Sequence, residues 1–140
     1  MRVSFMMRSG LFLAAALYAS AGQAEPGAVC KYQQITALHE RMVHCSEPLE
    51  PEVEQRYAIL RAILKQHMQA GGIDTAEKFG PDFDQAVRKA QEAKPGKEIC
   101  KAGPEYSELK RTFYRLTSPL SVKEATRMKA SVKQDSGDCP

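Results

Sequence analysis

Four cysteines that lie far apart in the sequence constrain this chain more than any other feature. They are Cys30, Cys45, Cys100 and Cys139, and no two of them lie closer than fifteen residues. A cysteine-based zinc site normally includes a close pair such as Cys-x-x-Cys, and this spacing provides none. An even number of cysteines in a small exported chain therefore predicts two disulfides, each adding about 2–4 kcal/mol to the stability of the fold.

The expectation of export comes from the N-terminus. Arg2 and Arg8 supply positive charge, and residues 11–21 (LFLAAALYASA) form an apolar run of eleven residues. This order is typical of a secretory signal peptide. The run is too short for a membrane anchor, which needs about 20 residues.

A cleavage site follows that run. Small residues at Gly22 and Ala24 occupy the −3 and −1 positions before Glu25. We therefore expect a signal peptide over residues 1–24 and one small helical domain over residues 25–140, located in the periplasm or secreted. The residue before the first cysteine is valine, which argues against a lipid-anchored chain.

The longest helical pattern runs from Pro51 to Gly72. Its apolar residues recur on one stripe of the helix: Val53, Tyr57, Leu60, Leu64 and Met68. Proline suits the first helical position, and the glycine pair at the end supplies a stop. Ile59 and Ile63 lie off the stripe, which favours a central helix covered on two sides over a surface for a partner. We expect the other helices to pack against this one.

Shorter helical patterns account for most of the remaining chain. Helices are expected over 28–45, over 81–93, from Pro104 to the Ser118-Pro119 break, as a single turn after Asp74, and as a thin outer helix from a Ser121–Glu124 capping box to Gln134. No segment shows the period-two alternation of a strand. The predicted fold class is all-α: a small disulfide-stapled bundle of four to five helices.

The helix pattern restricts which cysteines can pair. Cys30 and Cys45 would lie about 22 Å apart along the first helix, whereas a disulfide needs Cα atoms within about 7 Å. If the helices alternate in direction, the first and third helices end at the same pole, which brings Cys45 near the loop that carries Cys100. Cys30 is then left for Cys139. Strict alternation would put the tail that carries Cys139 at the opposite pole, so this pairing also requires the last helix to cross the bundle or fold back. Four cysteines allow three pairings, and we predict Cys45–Cys100 with Cys30–Cys139.

One functional hypothesis, ranked second to the binding role described below, is metal handling. His39 and Met42 stand three residues apart on the first helix and offer ligands to a soft ion such as copper. His67 would lie about 15 Å along the axis from His39 in an antiparallel hairpin, so the two histidines cannot share one ion. Because a site needs three or four convergent ligands, we expect no metal and no cofactor, and we expect these histidines to be satisfied by hydrogen bonds.

Catalytic patterns are equally sparse. The sequence has no Gly-x-Ser-x-Gly, no phosphate-binding glycine loop and no haem-attachment motif. Paired carboxylates such as Glu47/Glu50 and Asp82/Asp84 offer acid–base groups for a small hydrolase, the third hypothesis. Acids at helix N-termini usually serve the helix dipole, however, so we predict no catalytic residues and no enzyme activity.

The distribution of charge points to a binding surface. Residues 25–87 carry six basic and ten acidic side chains, whereas residues 88–133 carry twelve basic and five acidic ones. Seven cations on the last two predicted helices define what we call the basic surface: Lys110, Arg111, Arg115, Lys123, Arg127, Lys129 and Lys133. An ordinary solvated face explains such residues, as does a docking surface for an acidic protein, an anionic wall polymer or an anionic membrane. Nucleic acid is not expected, because no base-reading motif is present.

Together these features predict a small exported helical binding protein, such as an inhibitor, an immunity protein or an envelope accessory protein. Its partner would be another envelope or secreted protein, or an anionic envelope surface. The sequence after the leader contains no second apolar stretch long enough to span a membrane.

Overall fold

The structure, a computed structural model, describes residues 27–94, 100, 103–128 and 139. Within these residues the chain forms six helices and no strand: α1 Ala28–His44, α2 Pro51–Ala70, α3 Thr75–Lys78, α4 Pro81–Glu92, α5 Pro104–Leu116 and α6 Pro119–Thr126. The predicted all-α class is confirmed. None of these six helices combines the length and the apolar character needed to cross a membrane. The predicted signal peptide lies outside the described residues.

Helices α1 and α2 together form the centre of the bundle. α1 packs against α2, α4 and α5, whereas α2 packs against α1, α3 and α6. The expectation that all other helices lie against α2 is therefore wrong, because α4 and α5 are placed mainly by α1. Ile59 of α2 is 43% exposed, while Ile63 packs at the edge of the core. The second apolar side of α2 is thus only partly covered.

The core is built around the predicted stripe of α2, whose five residues are all buried. Tyr32, Ile35 and Met42 of α1 belong to the same buried cluster, as do Phe113 of α5 and Ala125 of α6. Each such large apolar side chain contributes about 1.5–3 kcal/mol when it is removed from water. The 3.6-residue period of α2 therefore determines which face it turns to α1.

Two charged residues of α4 contact neighbouring helices. Asp84 Oδ1 accepts from Arg61 Nη2 of α2 at 2.6 Å, and Arg88 Nε donates to Glu40 Oε2 of α1 at 3.3 Å. Because α4 packs directly on α1, its flanking side chains reach neighbouring helices. The side chain of Glu40 is accordingly only 11% exposed, whereas the apolar Val43 of the same helix is 51% exposed.

A proline turn joins α5 to α6. Ser118 caps α6, because its side chain accepts a hydrogen bond from the Ser121 backbone N–H at 3.2 Å and Pro119 occupies the first helical position. The predicted start at a capping box of Ser121 and Glu124 is wrong, since Ser121 already lies inside the helix and is buried. The last part of that predicted helix, up to Gln134, falls outside the described residues.

Two disulfides fix both ends of α1. Cys30, in its first turn, bonds to Cys139 with a Cα–Cα distance of 5.1 Å. Cys45, directly after the helix, bonds to Cys100 with a Cα–Cα distance of 5.3 Å. These are the two predicted pairs, although helix direction alone favoured only Cys45–Cys100. Anchoring α1 at both ends to later parts of the chain is consistent with its central position.

Candidate functional site

A cleft opens beside the disulfide at the start of α1. It lies between the first two turns of α1 and the segment that joins α5 to α6, and its volume is about 780 Å³. This volume falls in the range of roughly 300–1,000 Å³ that is usual for small-ligand pockets. We call it the cystine cleft, and its lining residues are Cys30, Lys31, Gln33, Gln34, Arg115, Leu116, Ser118, Leu120, Ser121, Glu124 and Cys139.

Lys31 is the most unusual residue of the cystine cleft. It is only 7% exposed, although lysine is almost never buried without a partner. Within the described part of the chain, its ammonium group has no ion pair and no hydrogen bond. The stem of Lys31 is enclosed but its ammonium still reaches solvent, because His39 Nδ1 is the one buried side-chain N or O atom without a hydrogen-bond partner among the described residues. Because Lys31 lines the cleft, an anion can approach it from there.

The start of α1 adds to the positive potential around Lys31. Lys31 is the fourth residue of α1, and this helix begins with no side-chain cap and no acidic residue in its first turn. The N-terminus of a helix carries a partial positive charge, which acidic residues in the first turn normally offset. The α1 side of the cleft therefore attracts negative charge.

The opposite wall combines charge with apolar surface. Arg115, near the end of α5, and Glu124, in α6, are both exposed, and neither forms an ion pair with another described residue. The same wall carries two leucines. Leu116 is half-buried, and Leu120 is 63% exposed. With Lys31, the lining thus carries two cations, one carboxylate and an uncovered apolar side chain.

Lys110 of the basic surface is engaged in an internal contact. It forms an ion pair with Glu47, which also accepts a hydrogen bond from Tyr106 Oη at 2.8 Å. The hydrogen bonds from Lys110 and Tyr106 hold the pKa of the Glu47 carboxyl below its usual value. Burial, together with the bond to Glu47, raises the pKa of Tyr106 to about 12. Glu47 therefore joins the segment after α1 to α5. Its carboxylate binds Lys110 and Tyr106 and is not free to form the acid–base pair with Glu50 that a hydrolase would need.

The other cations of the basic surface have different surroundings. Arg111 Nη1 pairs with Glu108 of its own helix at 3.2 Å. Three are exposed and make no ion pair to any residue that the structure describes: Arg115, Lys123 and Arg127. Lys129 and Lys133 lie outside the described residues. The described residues of the basic surface therefore form two groups. Lys110 and Arg111 form ion pairs with residues of this chain, whereas Arg115, Lys123 and Arg127 form none with described residues, and Arg115 lines the cystine cleft.

The histidines considered as metal ligands are held by hydrogen bonds. His39 Nε2 donates to the Glu54 carboxylate, with 2.9 Å to Oε2, and its ring stacks on Tyr57 at a centroid distance of 4.0 Å. His67 Nε2 donates to a backbone carbonyl oxygen of α6 at 2.7 Å, and Met42 is buried in the core. Nowhere in the described ranges do three or more His, Cys, Asp or Glu side chains converge as a metal site requires.

Sequence reasoning did not find Lys31. A lysine beside a cysteine in the first turn of a helix has no distinctive pattern, and its burial depends on how α1 packs against the rest of the chain. Arg115 was found, but as part of a charged face rather than as the wall of a cleft. The one usable signal was the disulfide, because Cys30–Cys139 brings the start of α1 to the end of the chain.

Comparisons with known proteins gave no match to a family model, a curated protein or a solved structure. The function must therefore be argued from the chemistry of this chain alone.

Proposed function

We propose that this chain is an exported helical binding protein, that its binding site is the cystine cleft, and that its ligand carries a negative charge. One observation carries the proposal: Lys31 is 7% exposed, lines the cleft and has no anionic partner among the described residues. Its stem is enclosed, and its ammonium reaches solvent without an internal counter-charge, so the charge is available to a ligand in the cleft. A bound anion supplies the missing partner.

The expected strength of this contact is substantial but not extreme. A hydrogen bond between a charged donor and a charged acceptor contributes about 1.5–3 kcal/mol net. Arg115 is exposed, so its attraction for the same anion is screened and contributes less, about 0–1 kcal/mol. Lys31 is therefore the principal determinant of affinity and Arg115 a secondary one.

Binding accounts for the side chains of the cleft better than catalysis does. A two-carboxylate hydrolase needs a second acid within about 5–10 Å of the first, and Glu124 is the one carboxylate in the described lining. Of the paired acids considered above, Glu47 is bound to Lys110 and Asp84 to Arg61. These carboxylates stabilise contacts between segments and lie away from the cleft lining.

Export is the second part of the proposal. Disulfides persist in oxidising compartments such as the periplasm, and this chain has two. Expression of the full chain in a Gram-negative bacterium should place the protein in the periplasmic fraction, with an intact mass for residues 25–140 and both disulfides formed. Recovery from the cytosol with the leader attached and the thiols reduced would contradict export.

The cleft is tested by titrating the oxidised protein with small anions. We expect acetate, hexanoate and inorganic phosphate to shift the backbone amide NMR signals of residues 30–34 and 115–124, with at least one of these anions reaching saturation. Lys31→Met should weaken that binding about tenfold or more, because it removes the charge and keeps most of the stem. The matched control is Lys89→Met, which removes an exposed lysine of α4 outside the lining. Equal binding by both variants, or no saturable shift with any of the three anions, overturns the proposal.

A second candidate function is docking to an anionic envelope surface. It is favoured by the exposed Arg115, Lys123 and Arg127, which lack ion pairs among the described residues. Their effect should be long-range and salt-dependent. We expect co-sedimentation with phosphatidylglycerol vesicles at 20 mM salt that disappears at 500 mM, and Lys123→Glu with Arg127→Glu should abolish it. Binding that is insensitive to salt and to both substitutions removes this candidate.

A further inference from the structure

The cystine cleft contains hydrogen-bonding groups of both kinds. Gln33 and Gln34 of α1 line it, and each amide side chain offers two N–H donors and a carbonyl acceptor. Gln33 Oε1 lies 3.1 Å from Cys139 Sγ, so this amide rests against the disulfide. Gln34 is exposed, and its side chain forms no hydrogen bond within the described chain. A peptide group matches such amides, because it also presents one donor and one acceptor.

The charges of the cleft limit the charge of its ligand. Lys31 and Arg115 attract a carboxylate, but Glu124 on the same lining repels any ligand that is negative throughout. Glu124 accepts hydrogen bonds from N–H groups instead. The three groups together suit a ligand with one carboxylate and several N–H donors.

The apolar part of the lining adds a further requirement. Leu120 is 63% exposed and stands beside Leu116 on the wall formed by the α5–α6 segment. A ligand that carries an apolar side chain would remove Leu120 from water. The cleft volume of about 780 Å³ is large enough for two or three residues of peptide.

From these groups we infer that the cystine cleft binds the free C-terminus of a peptide whose last residue is apolar. This inference rests on the proposed function, because it names the class of anion that the cleft takes. The terminal carboxylate binds Lys31 and Arg115, the amides of Gln33 and Gln34 bind the preceding peptide group, and the last side chain packs on Leu116 and Leu120. The terminal carboxylate supplies the one negative charge, so Glu124 is left to accept from ligand N–H groups.

The test compares three probes on the oxidised protein by NMR titration: the tripeptide Ala-Ala-Leu, the same tripeptide with a C-terminal amide, and hexanoate. We expect Ala-Ala-Leu to bind at least tenfold more tightly than its amide, because the amide lacks the charge that Lys31 recognises. We also expect hexanoate to bind more weakly than Ala-Ala-Leu, since it lacks the peptide groups. Replacing the last leucine of the tripeptide by lysine should weaken binding severalfold.

Three variants locate the effect. Lys31→Met should remove the difference between the acid and the amide. Arg115→Gln, at an exposed position that tolerates substitution, should reduce that difference and keeps the test decisive if the first variant does not fold. Leu120→Ser should remove the preference for leucine over lysine at the last position while leaving the acid–amide difference intact.

The outcomes separate this inference from the proposed function. If the acid and the amide bind equally, or if hexanoate binds as tightly as the tripeptide, the peptide inference is wrong, yet Lys31-dependent binding of hexanoate would still support an anion site. If neither the tripeptide nor hexanoate, acetate or phosphate binds, the peptide inference and the proposed anion site are both wrong.

Discussion

Tyr57 illustrates how single residues of this bundle carry several contacts at once. Its ring stacks on His39 at 4.0 Å, lies 6.0 Å from the ring of Phe113, and has the guanidinium of Arg61 5.5 Å from its centroid. The residue is 5% exposed, and burial raises the pKa of its phenol to about 12 against an ordinary value of 10. Burial has this effect because the phenolate loses hydration inside the protein.

The first prediction follows from that shift. Between pH 10 and 12 the unfolded chain loses the Tyr57 proton while the folded chain keeps it, so the stabilising contribution is fully present below pH 10 and is lost as the pH rises through 12. We expect the free energy of unfolding to fall over this interval, and to fall less in Tyr57→Phe. Absorbance at 295 nm should show one fewer phenol titrating near 12 in the variant. Tyr106→Phe should likewise remove one phenol from the titration near 12, because burial also raises the pKa of Tyr106 to about 12, and only the double variant should lose both. Ionisation of all phenols near pH 10 would contradict the expectation.

Single residues were also the scale at which the sequence was least informative. The stripe of α2 was predictable because periodicity reports burial directly. The burial of Lys31 and Glu40 was not, since both are charged and their positions depend on neighbouring helices that no local pattern specifies. His39 makes the expected hydrogen bond through Nε2 only, since its Nδ1 is buried without a partner among the described residues. The partner of Nε2, Glu54 of α2, depends on the tertiary packing of α1 against α2.

At the scale of elements, the start of α6 shows how two local signals compete. Ser121 with Glu124 has the spacing of a capping box, yet the helix begins at Pro119 and Ser118 supplies the cap. The sequence Ser118-Pro119 both ends α5 and opens α6, because proline is disfavoured within a helix and favoured at its first position. Reading it only as a stop moved the predicted start by about one turn.

The second prediction tests this cap. Ser118→Ala should lower the free energy of unfolding by about 1 kcal/mol, since the Ser121 N–H loses the oxygen that accepts from it. Glu124→Ala, at an exposed position of the same helix, should change it by less than about 0.5 kcal/mol. Urea unfolding curves measure both. A larger loss in Glu124→Ala would instead support the capping box.

The third prediction concerns the tight turn between α3 and α4. A Cβ atom added to Gly80 would lie 2.4 Å from the backbone carbonyl oxygen of Ala76, so this turn leaves no room for a side chain. We expect Gly80→Ala to destabilise the protein by about 1–3 kcal/mol, because the backbone must move to relieve the overlap. Gly71→Ala is the matched control, since its Cβ would meet the nearest backbone atom at 3.4 Å. Equal unfolding midpoints for the two variants would contradict this account.

At the scale of the whole molecule, the unequal charge of the two halves is partly used inside the fold. Arg88 and Lys110 from the basic half pair with Glu40 and Glu47 from the acidic half. The sequence showed the imbalance but not its use, because the pairing depends on α4 and α5 lying against α1 and the segment that follows it. Among the described residues of the basic surface, Arg115, Lys123 and Arg127 remain without an ion pair, and Arg115 lines the cystine cleft.

The disulfides were predictable only in part: helix length prevents Cys30 from reaching Cys45, but the choice between the two remaining pairings depends on how the helices are arranged. The two disulfides differ in loop length and in their relation to the cleft. Cys30–Cys139 spans 109 residues and forms part of the cleft lining, whereas Cys45–Cys100 spans 55 residues and lies outside that lining. In the chain-entropy model each constrains the unfolded chain by a few kcal/mol, with only a weak dependence on loop length.

The fourth prediction separates the two disulfides by function. Replacing both members of either pair by serine should lower the free energy of unfolding by about 2–4 kcal/mol in each case. Only the Cys30→Ser, Cys139→Ser variant should also lose affinity for an anion at Lys31. This variant frees the start of α1 from Cys139, and both cysteines line the cleft. The Cys45→Ser, Cys100→Ser variant should bind normally once the unfolded fraction is subtracted, and is the control. Urea unfolding combined with NMR titration of the folded fraction measures both effects. If the two variants lose affinity equally, the cleft depends on overall stability rather than on the disulfide in its wall.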